Sequence, residues 1–198
     1  DPNPRLANVR NYAGETALIR AAMFDNDLYI LKLVGMGADP NIRDKAGNTA
    51  LWYSAKYDYF MTSLNLLGAA DSGLASADGT TQLILAAKLG NLRSVMAFAT
   101  AKQMAKAPVP KVKVPKYYEA ATRAIVARMR SIDPDKPDAL GRTALMYAAE
   151  AGNVDIVKAL LIMGSSRAKR DLKGKSAADL ARTTGKDDIL KILSSKSR

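Results

Sequence analysis

The chain has no histidine and no cysteine among its 198 residues, which removes imidazole general bases, thiol nucleophiles and the usual zinc ligands together. Acid–base chemistry would fall on carboxylates or lysines. The closest acidic pairs are Asp25 with Asp27, Asp133 with Asp135, and Asp187 with Asp188. Each stands where a turn or a helix start is expected, and there a carboxylate caps backbone N–H groups. No residue is therefore assigned a catalytic, cofactor-binding or metal-binding role. What remains is recognition chemistry. Trp52, Tyr53, Tyr57, Tyr59 and Phe60 fall within nine residues, and interface anchors are enriched in Trp, Tyr and Arg because such groups bury large area at little rotamer cost. Trp52 and Phe60 are expected in the core, and Tyr53, Tyr57 and Tyr59 in contact with a partner. A second cluster sets Tyr117 and Tyr118 beside Lys111, Lys113 and Lys116. Its Val-Lys-Val run, bounded by Pro110 and Pro115, is expected to be extended and able to pair with a strand of another chain. A solvated loop is the other reading of that segment.

The elements that position these groups are written as a repeat. Gly14-Glu15-Thr16-Ala17-Leu18 recurs as Gly47-Asn48-Thr49-Ala50-Leu51, Gly79-Thr80-Thr81-Gln82-Leu83, Gly141-Arg142-Thr143-Ala144-Leu145 and Gly174-Lys175-Ser176-Ala177-Ala178. The glycines are separated by 33, 32, 62 and 33 residues. After each motif comes an alanine-rich helical stretch, a break, and a second stretch with an apolar stripe such as Ile156, Val157, Leu160 and Leu161. By this motif and period the chain resembles the ankyrin-repeat family over nearly its whole length. The resemblance implies an all-α solenoid of about five repeats forming one domain over 1–198, with repeats near 11–43, 44–75, 76–107, 138–170 and 171–193. The family's Thr-Pro-Leu-His turn keeps neither Pro nor His in any copy. Apolar residues stand in the His position in four copies and Asp179 in the fifth, so neighbouring turns are expected to pack by contact in place of the family's His-centred hydrogen bonds.

The 62-residue interval leaves two readings of residues 108–137. Tyr117 to Ser131 aligns in phase with an outer helix, as a degenerate repeat would, although Pro108, Pro110 and Pro115 exclude the matching inner helix. Alternatively, the segment is an insertion after an outer helix running from Leu92 to about Lys106. Residues 186–193 read as the outer helix of a C-terminal cap, with Ile189, Leu190, Ile192 and Leu193 packed inward.

Formal net charge is +11, and it is unevenly placed. Residues 1–100 are neutral overall, 101–142 carry +6, 143–166 carry −1 and 167–198 carry +6. Such a surface suits an acidic protein, an anionic membrane or a cell-wall polymer. Nucleic acid is not expected, since the cations are spaced singly with no recognised nucleic-acid fold to present them. No stretch approaches the roughly 18 apolar residues of a membrane span. The sequence opens Asp1-Pro2-Asn3-Pro4 without Met, as a trimmed chain or a mature protein after signal cleavage would. With the missing cysteines, this sets the expectation of an exported, periplasmic chain, a cytoplasmic location being the alternative.

Ankyrin proteins generally bind other proteins through their turn tips and inner helices. Carried over by position, the resemblance marks Tyr12, Lys45 and Arg142 among the tips and Met23, Phe24, Lys56 and Tyr57 on the helices. It implies a non-catalytic protein-binding module without cofactor, a monomer when free. More loosely, the chain resembles bacterial periplasmic ankyrin proteins that act as self-protection factors by holding their own peptidoglycan endopeptidases inactive. Retention on an anionic wall or membrane surface, or service as a cytosolic or secreted adaptor or effector, are the alternatives.

Overall fold

The computed structural model describes residues 4–107 and 116–195, and every regular element among them is a helix. The Thr or Ser of the repeat motif explains where five of these helices begin. Thr16, Thr49, Thr81 and Ser176 adopt extended backbone and accept the N–H three residues on, which caps α2 (Ala17–Met23), α4 (Ala50–Lys56), α6 (Gln82–Leu89) and α11 (Ala177–Thr183). At α11 the Asp179 carboxylate reaches back to the Ser176 N–H and completes a capping box. Thr143 holds the same position before α9 (Ala144–Ala151) without a side-chain bond, and its hydroxyl is buried and unpaired.

Each of these helices is followed by a partner: α3 (Asp27–Gly35), α5 (Phe60–Leu67), α7 (Leu92–Met104), α10 (Val154–Met163) and α12 (Asp187–Ser194). A short α1 (Pro4–Ala7) precedes the array. The inner helices stack α2 on α4 on α6 on α9 on α11. The outer helices stack alongside as α3, α5, α7, α10 and α12. Alanines at 22, 55, 86, 87, 148, 149 and 181 are fully buried and let the layers approach closely, while Leu18, Leu51, Leu66, Phe98, Leu145 and Leu160 fill the space between. Ile19, Ile84 and Met146, in the family's His position, are buried too, and Trp52 packs half-buried against the same core, as does Phe60. One seam is polar. Buried Ser63 donates to the Ser54 hydroxyl at 2.9 Å, and Ser94 to the Ser54 carbonyl at 3.3 Å, joining α5 and α7 to α4.

The long interval is an excursion from the array. Repeat three packs directly on the next, α6 against α9 and α7 against α10, so no layer is missing between them. Helix α8 (Lys116–Arg130) lies against α7, seated by buried Met129 and Ile132. The Arg130 Nε donates to Ala105 O at 2.9 Å and the Lys102 ammonium to Ile132 O. The proline-bounded segment expected to be extended, 108–115, lies outside the described residues.

Outer-helix loops are tied by a side-chain ladder. Asn8, Asn41 and Asp135 each accept the backbone N–H of the next loop, from Asp39, Asp71 and Ser166 at 2.8, 2.8 and 2.9 Å. The equivalent of Asn41 in the third repeat is Gly73, which has no side-chain acceptor, and Lys136 replaces the rung by donating its ammonium to Gly73 O at 2.6 Å.

Candidate functional site

Three residues before each motif glycine stands a polar side chain: Asn11, Asp44, Ser76, Asp138 or Asp171. Asn11 Oδ1 accepts from the N–H of Ala13 and Glu15, Asp138 Oδ1 from Leu140 and Arg142, and Asp171 Oδ1 from Lys173 and Lys175, all between 2.8 and 2.9 Å. This fixes each turn and leaves its tip in solvent. Consecutive tips are joined through their backbones, Lys45 N to Ala13 O at 3.0 Å, Ala139 N to Asp78 O at 2.9 Å and Leu172 N to Leu140 O at 3.0 Å. The turns are thus hydrogen-bonded, and not packed by contact alone as the missing His suggested. Among the described residues no such bond joins the Gly47 turn to the Gly79 turn. There the Arg43 guanidinium spans the step, donating to Gly47 O at 2.7 Å and Ala75 O at 2.9 Å.

Two tyrosines lock their own turns. The Tyr53 hydroxyl donates to Asp44 Oδ2 and the Tyr147 hydroxyl to Asp138 Oδ2, both at 2.6 Å. Tyr147 also has two cations against its ring, the Lys88 ammonium 4.4 Å and the Arg142 guanidinium 4.3 Å from its centre. Burial, and then the facing Asp138 carboxylate, push the Tyr147 hydroxyl up to about 12; the same causes raise Tyr53 above its ordinary value. Burial alone would raise Asp138, but the Tyr147 hydroxyl, the N–H groups of Arg142 and Leu140 and the Lys88 charge hold it below the usual carboxylate range. Tyr53 is consequently not a contact residue as expected: it is 9% exposed, committed to Asp44. Arg142 is corrected likewise. Its side chain is 15% exposed, paired with Glu150 at 2.6 Å and laid over Tyr147, so it is spent on the fold. The signal missed in the sequence is the nine-residue spacing from turn Asp to Tyr, present in two repeats.

Ten residues after the motif glycine, at the C-terminal end of each inner helix, the first three repeats place Phe24, Tyr57 and Leu89. These are 66, 40 and 52% exposed, whereas the last two repeats have Ala151 and Thr184 there. Because α2, α4 and α6 stack side by side, the three form an apolar ridge. Arg20 lies over the Phe24 ring at 4.9 Å, and Lys56 stands 5.2 Å from the ring centres of both Trp52 and Tyr57. Behind them the rings continue, Trp52 edge-on to Tyr53 at 5.0 Å, Tyr53 stacked on Tyr57 at 6.3 Å, and Tyr57 against half-buried Tyr59 at 5.9 Å. Phe24, Tyr57 and Tyr59 are therefore gathered on one face; Leu89, absent from the sequence-based set, joins them.

Tyr12 is 99% exposed at the first tip and Lys45 is exposed at the second, away from the ridge. Lys116, Tyr117 and Tyr118 open α8 in helical backbone, which cannot pair as a strand; Lys111 and Lys113 lie outside the described residues. Members of the acidic pairs accept hydrogen bonds within the fold. Asp25 accepts the Thr62 hydroxyl at 2.8 Å, Asp133 the Asp135 N–H at 2.9 Å, and Asp135 the Ser166 N–H. Among the described residues no three metal-ligating side chains gather, and no helix is long and apolar enough to cross a membrane.

Comparison with known families matches two descriptions to the chain: ankyrin repeats in three copies over residues 116–198, and a single ankyrin repeat over residues 13–45. The two matches together take in more than half of the chain. No curated protein matches it.

Proposed function

As a member of the ankyrin-repeat family this chain is a protein-binding module, and we propose that it binds through the face built on Phe24, Tyr57 and Leu89. The carrying observation is that ridge: three large apolar groups held in solvent at equivalent positions of three stacked repeats, two of them under cations. Aromatic groups held rigid in this way bury area on association with little loss of rotamer freedom.

The finer reading is that the partner is a peptidoglycan endopeptidase of the periplasm, held inactive while the chain covers the rim of its cleft. It is supported by the looser resemblance to self-protection proteins, by the absence of cysteine, and by the basic charge of residues 101–142 and 167–198, which draws the chain toward anionic partners and cell-wall polymer. The experiment is capture of partners from a periplasmic extract at about 0.3 M salt, where screening acts within roughly 5–6 Å. The expected result is recovery of a cell-wall hydrolase whose activity falls on adding the chain, with Y57A costing about 1 kcal/mol or more of the affinity. Capture of the hydrolase unchanged by Y57A removes the ridge from the interface. Binding to cell-wall polymer alone, lost as salt rises, replaces this reading with electrostatic retention.

A further inference from the structure

We infer that the array is hinged between its second and third repeats. The turn edge opens there about a pivot on the helix side, and the Arg43 guanidinium is the latch that holds it closed.

At the other joints each motif glycine lies against the next turn. A Cβ on Gly14, Gly79 or Gly141 would stand 2.9, 2.8 or 2.9 Å from the backbone nitrogen of Lys45, Ala139 or Leu172, and the residue just before each glycine accepts that N–H. Gly47 departs on both counts. A Cβ there would meet nothing within 4 Å, and among the described residues no hydrogen bond joins Ala77 N to Ala46 O, the corresponding pair. Both belong to exposed residues, where water satisfies them. What spans the step is one side chain, Arg43, through Gly47 O at 2.7 Å and Ala75 O at 2.9 Å. Arg170, placed four residues before its own motif glycine as Arg43 is, gives Gly174 O the same bond but turns its charge to Asp179 of its own repeat. Both acceptors of Arg43 are neutral carbonyls, weaker partners for a guanidinium than the carboxylates that hold Arg142 and Arg182.

The helix side of the same joint is firmly bonded. Asn91 Nδ2 donates to the carbonyls of Ala55 and Lys56 at 2.8 and 2.7 Å, the Ser94 N–H to Asp58 at 2.7 Å and the Ser94 hydroxyl to Ser54 O at 3.3 Å. The Asn41 rung to Asp71 ties the outer-helix loops at 2.8 Å. A joint bonded along one edge and latched at the other by a single long side chain rotates about the bonded edge. Repeats one and two then move as one body and repeats three to five as the other, with the Lys45 tip on the first and the Asp78, Ala139 and Leu172 tips on the second. Tyr57 and Leu89 close α4 and α6 beside the Asn91 bonds, on the pivot side, so opening parts the tips while the ridge keeps its spacing. A partner that grips tips of both bodies selects one state of the hinge, and a partner on the ridge does not.

The chain has no cysteine, so pairs of spin labels can be set on the intact protein through introduced thiols and their separation read by pulsed electron resonance. Lys45, Ala77, Ala139 and Leu172 hold the same place in their turns and are exposed. K45C/A139C crosses the hinge and the joint after it; A77C/L172C crosses the two joints beyond the hinge. M61C/D155C crosses the same joints as the first pair, at corresponding exposed positions of the outer helices. We expect K45C/A139C to show a second, longer distance beside the main one, and the other pairs a single distance. R43A should raise the longer component about fivefold, as losing the net worth of one hydrogen bond implies, and leave the other pairs unchanged. R43K, a point charge in place of the fork, should fall between wild type and R43A. Circular dichroism verifies that the variants remain folded. A single K45C/A139C distance that neither R43A nor R43K alters overturns the inference. Equal broadening of M61C/D155C also overturns it, because the joint then loosens as a whole without a pivot.

Discussion

Tyr147 shows how much one hydroxyl carries. It satisfies the inner oxygen of Asp138, whose other oxygen holds the turn through the Leu140 and Arg142 N–H groups. Removing the hydroxyl leaves a buried carboxylate oxygen short of a donor, which costs about 1–3 kcal/mol. Y147F should lower the urea midpoint accordingly. An absorbance titration should show one phenol of the wild type resisting ionisation until about pH 12, and Y147F should lose that step. Acid works on Asp138 and on two further carboxylates. The Ser76 hydroxyl, then the Thr80 N–H and hydroxyl, hold Asp78 at about 2, and the Ser176 N–H and hydroxyl hold Asp179 at about 2, against 3.8 ordinarily. Their folded values lie below the unfolded ones, so the unfolded chain binds these protons more readily. The stability they add is complete above about pH 4 and is lost as pH falls toward 2. Thermal melts of D78N/D179N should fall less steeply than wild type across that window; an unchanged slope assigns the acid sensitivity elsewhere.

At the scale of elements, the turn glycines are not equivalent. Gly79 has φ of 78°, and a Cβ there would stand 2.8 Å from Ala139 N, at the joint between the third and fourth repeats. Gly47 has φ of 83° and open space around it. Both substitutions carry the cost of a left-handed residue, about 1 kcal/mol. Only G79A also forces apart the Ala139–Asp78 hydrogen bond. G79A should therefore destabilise by clearly more than G47A in urea unfolding, with equal effects indicating that the joint adapts freely. The same pairing marks a weak step in the array, since beside Gly47 the Arg43 guanidinium stands in for the backbone bond made at other joints. A one-residue shorter interval, 32 against 33, accompanies that change.

For the whole molecule, stacking decides what the surface offers. Apolar residues at a single helix position are ordinary; their alignment across α2, α4 and α6 turns them into a ridge. Beyond the excursion, Ala151 and Thr184 end it, so the N-terminal three repeats carry the apolar contact while the later ones carry much of the excess positive charge. Association through the ridge should lose little affinity between about 0.1 and 0.3 M salt, whereas attachment through the basic segments should weaken steeply, as binding measured across that range will separate.

The repeat, its helices and their starts were legible in the sequence because they follow from local chemistry: Thr and Ser caps, glycines at positive φ, alanine where layers close, and apolar stripes at helical spacing. The exposure of Phe24, Tyr57 and Tyr12 also followed from position in the repeat. Tertiary structure alone decided the rest. Tyr53 reads as an anchor until Asp44 is seen to take its hydroxyl, Arg142 as a free tip until Glu150 and Tyr147 engage it, and Leu89 as one more helix residue until its neighbours fall into line. Whether the stretch that holds α8 forms a layer or leaves the array depended on α6 meeting α9 directly. Each of these is a contact between residues brought together by folding; spacing along the chain, as from Asp44 to Tyr53, marks where such a contact can form, and only the fold makes it.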